Sequence, residues 1–154
     1  MPPLATSVVN TQAVQLLSAW ITNGLAGYQS FADWQLYYFG STNAANAQPL
    51  ADPDGDGAEN YLEFLTATGP TNAAEAWGIA ITQGPGSAQI SIPQGANRAF
   101  EVQATTNLLS SNSWSALNLP ANAPFFPNSN RTAILEEMLL PDPPRFYRAR
   151  VFEP

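Results

Sequence analysis

Twelve consecutive residues, Asp52-Pro53-Asp54-Gly55-Asp56-Gly57-Ala58-Glu59-Asn60-Tyr61-Leu62-Glu63, hold five of the chain's twelve acidic side chains. Their spacing is that of an EF-hand type calcium loop, which takes side-chain oxygens from positions 1, 3 and 5 and a backbone carbonyl from 7. Position 9 adds a side-chain or water oxygen, and a bidentate carboxylate closes the loop at 12. Here those positions are Asp52, Asp54, Asp56, Ala58, Asn60 and Glu63, and each can supply its oxygen. Gly57 stands at position 6, where the chain reverses and a residue without Cβ takes positive φ at no steric cost. Carboxylates crowded so closely repel one another unless a cation neutralises them. A hard ion with six to eight oxygen ligands at about 2.3 to 2.6 Å does so, and the flexible geometry selects Ca²⁺ over Mg²⁺. A plain acidic turn also draws on Asp, Pro and Gly, but has no need of an oxygen at every liganding position.

Other chemistry is scarce. The chain has no histidine and no cysteine, which removes Ser-His-Asp and Cys-His nucleophiles, His or Cys zinc sites and cysteine-attached haem. Glu136 and Glu137 are adjacent on a predicted strand, so they point to opposite faces and cannot flank one bond. Glu101 and Asp142 have no evident partner, and no catalytic residue is assigned: the expectation is a protein that is not an enzyme. With a net charge of −7 and no lysine, the chain repels a phosphate backbone, which excludes nucleic acid as a partner. No apolar run approaches the ~18 residues of a membrane span, and the start lacks the basic and apolar stretches of a signal peptide. Calcium sites of modest affinity fill most readily where calcium is millimolar, so the expected location is extracellular, at the cell surface or periplasmic.

The elements that must position the loop are legible from periodicity. Ala13, Val14, Leu16, Leu17, Trp20 and Ile21 give a helix over Thr11 to Asn23. A second runs from about Ser30 to Phe39 and stops at Gly40; its aromatic stripe of Phe31, Trp34, Leu36, Tyr37 and Tyr38 could offer a sugar-stacking surface, but at helical spacing it reads as core. Residues 41–50 are irregular chain where an EF-hand would have its entering helix, and a short exit helix follows the loop until Gly69-Pro70. There is no second Asp-rich loop, so one unpaired site is expected. After Thr71 the period changes from 3.6 to 2. Strands are predicted at Trp77–Thr82, Ala88–Ile92, Ala99–Thr105, Trp114–Leu117, Arg131–Glu137 and Phe146–Phe152. The predicted fold is α+β: a helical region with the calcium loop over 1–72, then a small antiparallel β-sandwich or open barrel over 73–154.

The run Phe39-Gly40, then Ala51 through Phe64, then Thr68-Gly69-Pro70, resembles a dockerin-like calcium-loop module found at the C-termini of large secreted proteins of Verrucomicrobia and Planctomycetes, related to thrombospondin type 3 loops. Phe100 to Leu108, Trp114 and Arg145 to Val151 are similar to the terminal segments of that family. The likeness spans about Trp34 to Pro154 and implies a small β domain after the loop. The segment Met1 to Val9 with Gln12 to Ile21 resembles the end of a c-type cytochrome domain. Without Cys-x-x-Cys-His it can hold no haem, and no ligand role passes to Met1. This second resemblance implies the tail of a longer exported polypeptide, or descent from one; Met1 as a plain start residue is the alternative.

Three functional classes follow. The first is a non-catalytic extracellular module in which Ca²⁺ is a structural clip and the β part docks on neighbouring domains or surface proteins. The second is a binder of glycan or surface polymer, stacking through Trp77, Trp114, Phe125 or Phe126, with self-association into a filament as a variant. The third, an enzyme, has the least support. The Arg145, Arg148 and Arg150 cluster can clamp an anion or merely charge a sheet edge.

Overall fold

A computed structural model describes residues 11–15, 27–138 and 144–154. Residues 11–15 are helical; the remainder of the expected first helix, the segment before Thr11 and Asp142 lie outside the described residues. Among the described residues the fold is mixed α+β, with two further short helices besides residues 11–15 and two three-stranded antiparallel sheets.

Helix α1 (Phe31–Phe39) begins where Ser30 accepts a hydrogen bond from the Asp33 N–H while the Asp33 carboxylate reaches back to the Ser30 N–H. It ends at Gly40, in the left-handed region with φ 68°. At 100° per residue Phe31, Trp34, Gln35 and Tyr38 share one face. Trp34 and Gln35 are buried there, whereas Leu36 and Tyr37 point to solvent. The expectation that the whole aromatic stripe is core is thereby corrected: only one face of so short a helix can be covered.

Helix α2 (Asn60–Thr66) leaves the acidic loop. It stops at Ala67, held at φ 59°, where the N–H groups of Ala67 and Thr68 both turn back to the Glu63 carbonyl. The stop thus falls at Ala67, before the expected Gly69-Pro70, and beyond it the Glu75 carboxylate accepts the Gly69 N–H at 3.1 Å.

The first sheet has the order β1 (Ala80–Gly84), β2 (Ser87–Gln94), β5 (Arg131–Met138). The second has β4 (Ser115–Ala116), β3 (Ala99–Thr105), β6 (Phe146–Phe152). Strand β1 starts later than predicted because register is counted back from a two-residue turn. Pro85 and Gly86 (φ 76°) set Gly84 opposite Ser87, and pairing runs only to Ala80 opposite Ser91. Trp77 is therefore off the ladder. Its indole N–H donates instead to the Pro93 carbonyl at 2.9 Å. Pro93, unable to donate, is tolerated because it lies past the last residue paired with β1. Strand β4 is shorter than predicted because the Asn122 side chain, brought in by a 3₁₀ turn at Pro120–Asn122, accepts the Val102 N–H at 2.7 Å and donates to the Leu117 carbonyl at 2.9 Å, two groups that would otherwise bond to each other.

Alternation decides the inner faces. Ile90 pairs with Leu135 and Ile92 with Ala133 on one sheet; Phe100 pairs with Val151 and Val102 with Ala149 on the other. Ile90, Ile92, Phe100, Val102, Ala104, Leu117, Ala133 and Leu135 form one buried cluster drawn from both sheets. Neither sheet closes into a barrel among the described residues. A second cluster, Trp34, Phe64 and Leu65, joins α1 to α2, and Val151 packs against both.

Candidate metal centre

The acidic segment is closed at its base before any ion is considered. The N–H groups of Asn60 and Tyr61, entering α2, donate to the carbonyls of Ala51 and Pro49 at 2.8 and 3.0 Å. The Asn60 amide, fully buried, donates to the carbonyls of Asn46 and Gln48 at 2.8 and 2.7 Å. Gln35 of α1 grips the same approach, donating to the Ala47 carbonyl at 2.6 Å. The 3₁₀ turn Ala45–Ala47 and these bonds stand where an entering helix would otherwise hold the loop.

Inside the loop the carboxylates organise the backbone. Asp52 accepts the Gly55 N–H on one oxygen and the Gly57 N–H on the other, at 2.8 and 3.0 Å. Both glycines have positive φ, 73° and 94°, and a Cβ at either would meet open space. Glycine is therefore required by the backbone angle, not by crowding. Asp54 Oδ1 accepts the Asp56 N–H at 3.3 Å, and Asp56 Oδ1 accepts the Ala58 N–H at 2.7 Å.

Oxygen atoms of Asp52, Asp54 and Asp56 lie within 4.8 Å of one another, with Asp52 exposed and the other two half-buried. Three of the predicted ligand residues thus meet. Glu63 stands outside that group but is 1% exposed. Burial, then the negative charges of Asp54, Asp56, Asp52 and Glu75, push its carboxyl up to about 7. Ala58 is half-buried at the seventh position, and Asn60 presents only its amide oxygen, its nitrogen being committed to the two carbonyls.

The test of fit lies in the unsatisfied atoms. Asp54 Oδ2, Asn60 Oδ1 and Glu63 Oε2 are buried without any hydrogen-bond partner. Buried oxygens without donors are costly and rare in folded proteins. Ion pairs among the described residues join Arg145 to Glu137 and Arg150 to Glu101, and none reaches this segment. The donor set is all oxygen and rich in carboxylate, which suits a hard dication and no thiophilic metal. Gln35 and the carbonyls of Asn46 and Gln48 are the contributors that sequence spacing misses. The one available signal is a polar residue at a core-facing position of α1.

The aromatic candidates are largely occupied. Trp77 packs on the β core, and Trp114 lies under the Arg148 guanidinium at 4.5 Å. Phe125 is capped by Arg131 at 4.7 Å yet remains exposed, as does Phe126, which meets Phe152 edge-on. Of the terminal arginines, Arg145 pairs with Glu137 at 2.8 Å and Arg148 donates to Gln103 at 2.8 Å, so they form no open clamp. Glu136 and Glu137 do face opposite sides, the first exposed and the second buried. No family model, curated protein or solved structure matches the chain.

Proposed function

We propose that this chain is a non-catalytic interaction module stabilised by one calcium ion and working where calcium is millimolar, outside the cytosol. The observation that carries the reading is the coincidence of three converging aspartates with buried, partnerless oxygens on Asp54, Asn60 and Glu63. In this reading Asp52, Asp54, Asp56, Asn60, Glu63 and the Ala58 carbonyl hold the ion. The ion's chemistry is charge neutralisation, and the chain's own part is to hold oxygens at fixed spacing. The two sheets pack as a small sandwich whose surface meets neighbouring domains or surface proteins.

Binding only to the folded form adds RT ln(1 + [L]/Kd), about 2.7 kcal/mol at a hundredfold excess over Kd. Protein stripped with a chelator is expected to melt lower and to recover on adding calcium, with calorimetry giving one ion per chain. No heat of binding together with an unchanged melt would falsify the reading.

A second reading, binding of glycan or surface polymer, draws on the exposed Phe125 and Phe126 beside Phe152. A polysaccharide array, with Phe126→Ala as control, tests it. Size-exclusion with and without calcium tests self-association through the same face.

A further inference from the structure

Arg98 is a buried cation with no carboxylate at ion-pair distance among the described residues. It follows a turn in which Asn97 takes φ 55° and donates its N–H to the Pro127 carbonyl. The residue is 5% exposed, yet it enters no ion pair with the described residues. Its Nη1 donates to the Asn97 carbonyl at 3.1 Å and its Nη2 to the Gln29 carbonyl at 3.4 Å, while its buried Nε has no acceptor. The guanidinium carbon lies 4.2 Å from the Phe64 ring centre and 5.4 Å from that of Tyr28. Glu153, whose field reaches Arg98, is instead held by the hydroxyls of Tyr28 and Tyr61 and stays beyond ion-pair distance. Buried charges are normally paired, since desolvation is otherwise uncompensated.

Arg98 lines a cavity of about 330 Å³ bounded also by Gln29, Tyr37, Tyr38, Thr68 and Asn130. That volume sits at the small end of ligand pockets, which suits a single ring. Tyr37 is 77% exposed and lines this cavity, while the Tyr38 ring packs on Trp34 with centroids 5.0 Å apart. Gln29, Thr68 and Asn130 supply amide and hydroxyl groups suited to a hydroxylated ligand.

We propose that this cavity binds a monoanionic sugar acid of the hexuronate class, its carboxylate on Arg98 and its C–H face against Tyr37. A guanidinium recognises a carboxylate with its planar fork, and aromatic faces stack on the apolar face of a ring. The chain's net charge of −7 opposes a polyanion, so the ligand carries one negative charge, as a free sugar acid or the end unit of a chain. The site is separate from the acidic loop and goes beyond the proposed calcium role. Testing it at saturating calcium keeps failure of one distinct from failure of the other.

The experiment is calorimetry and amide NMR on the full chain with glucuronate, galacturonate, their neutral parent sugars, acetate and a short oligouronate. A uronate is expected to bind saturably, with its parent sugar weaker by about tenfold or more, the loss of one charge-assisted hydrogen bond. Tyr37→Ala is expected to leave the melt unchanged and weaken binding about threefold to tenfold. Arg98→Lys keeps the charge without the fork and is expected to weaken binding while folding normally. An oligouronate that binds through its end unit identifies a chain terminus as the ligand, and binding of the monomer alone identifies the free acid. Neutral sugars binding as tightly as uronates, acetate matching the uronate, binding indifferent to Tyr37→Ala, or no saturable binding would each overturn the proposal.

Discussion

Glu63 and Asn60 are neighbours at the start of α2, both fully enclosed, and they do different work. Asn60 spends its amide nitrogen on two carbonyls of the approaching chain, so that half of its work does not depend on an ion, while its oxygen is left for one. Asn60→Ala is expected to lower stability by about 1 to 3 kcal/mol even in chelator, because two buried carbonyls lose their donor, and to lower calcium affinity besides, because a ligand oxygen goes with it. Glu63 keeps one oxygen without any donor and lies in the field of three aspartates, so its charge is a liability until a cation arrives. Glu63→Gln keeps the shape and removes the charge. The calcium-free melt should hold or rise, while calcium affinity should fall at least about tenfold, equivalent to ~1.4 kcal/mol. Melting each variant with calcium and with chelator separates the two roles. Equal loss in both conditions for Glu63→Gln would assign that side chain to packing alone. The spacing from Asp52 to Glu63 was readable without coordinates because a ligand set confined to twelve residues is local. Arg98 was not, since the rings and carbonyls around it come from Gln29, Tyr28 and Phe64, far away in sequence.

At the scale of elements, the helices and the long strands follow from periodicity wherever one face is buried. Strands β2 and β5 alternate inward and outward as their residues demand. Helix α1 opens on a capping pair, Ser30 and Asp33, that a sequence displays directly. Misplacement occurs at β1 and β4, where a turn or the inserted amide of a residue outside the strand sets the end of pairing and no alternation of side chains records it. The same holds for Glu137, an acidic residue on an inner face, whose partner comes from the other sheet. Tyr147 of β6 donates its hydroxyl to Glu137 of β5 at 2.7 Å, and Arg145 pairs with the remaining oxygen. Burial first, then this bond, push the Tyr147 phenol from 10.0 up to about 12. Because the folded value lies above the unfolded one, the contribution is intact below pH 10 and is lost as pH rises toward 12. Tyr147→Phe is expected to cost about 1 to 3 kcal/mol near neutrality, since a buried acceptor loses its donor. The variant should also flatten the decline of the urea midpoint between about pH 10 and 12. A decline identical to that of the parent would mean that other tyrosines carry it.

For the whole molecule, what matters is whether an ion at the acidic loop is felt in the sheets. Helix α2 carries Asn60 and Glu63 toward the loop and Phe64 and Leu65 toward Trp34. That aromatic cluster touches Val151, which belongs equally to the core between the sheets. Two further links cross the same boundary: Tyr61 and Tyr28 both donate to Glu153, beyond the end of β6, and Arg98, just before β3, stacks on Phe64. A rigid, packed connection passes stabilisation between elements that a flexible linker would isolate. Calcium is therefore expected to slow hydrogen exchange at β6 amides such as Val151 as well as at the loop, and a single melting transition should move as one. Val151→Ala removes about two methyl-sized groups from the junction and should cost about 1 to 3 kcal/mol. It should also shrink the effect of calcium on β6 exchange while leaving calcium affinity within about threefold, because no ligand is touched. Protection of β6 that ignores calcium in the parent, or two separate transitions of which only one responds to the ion, would show the loop and the sheets to be energetically independent despite their shared valine.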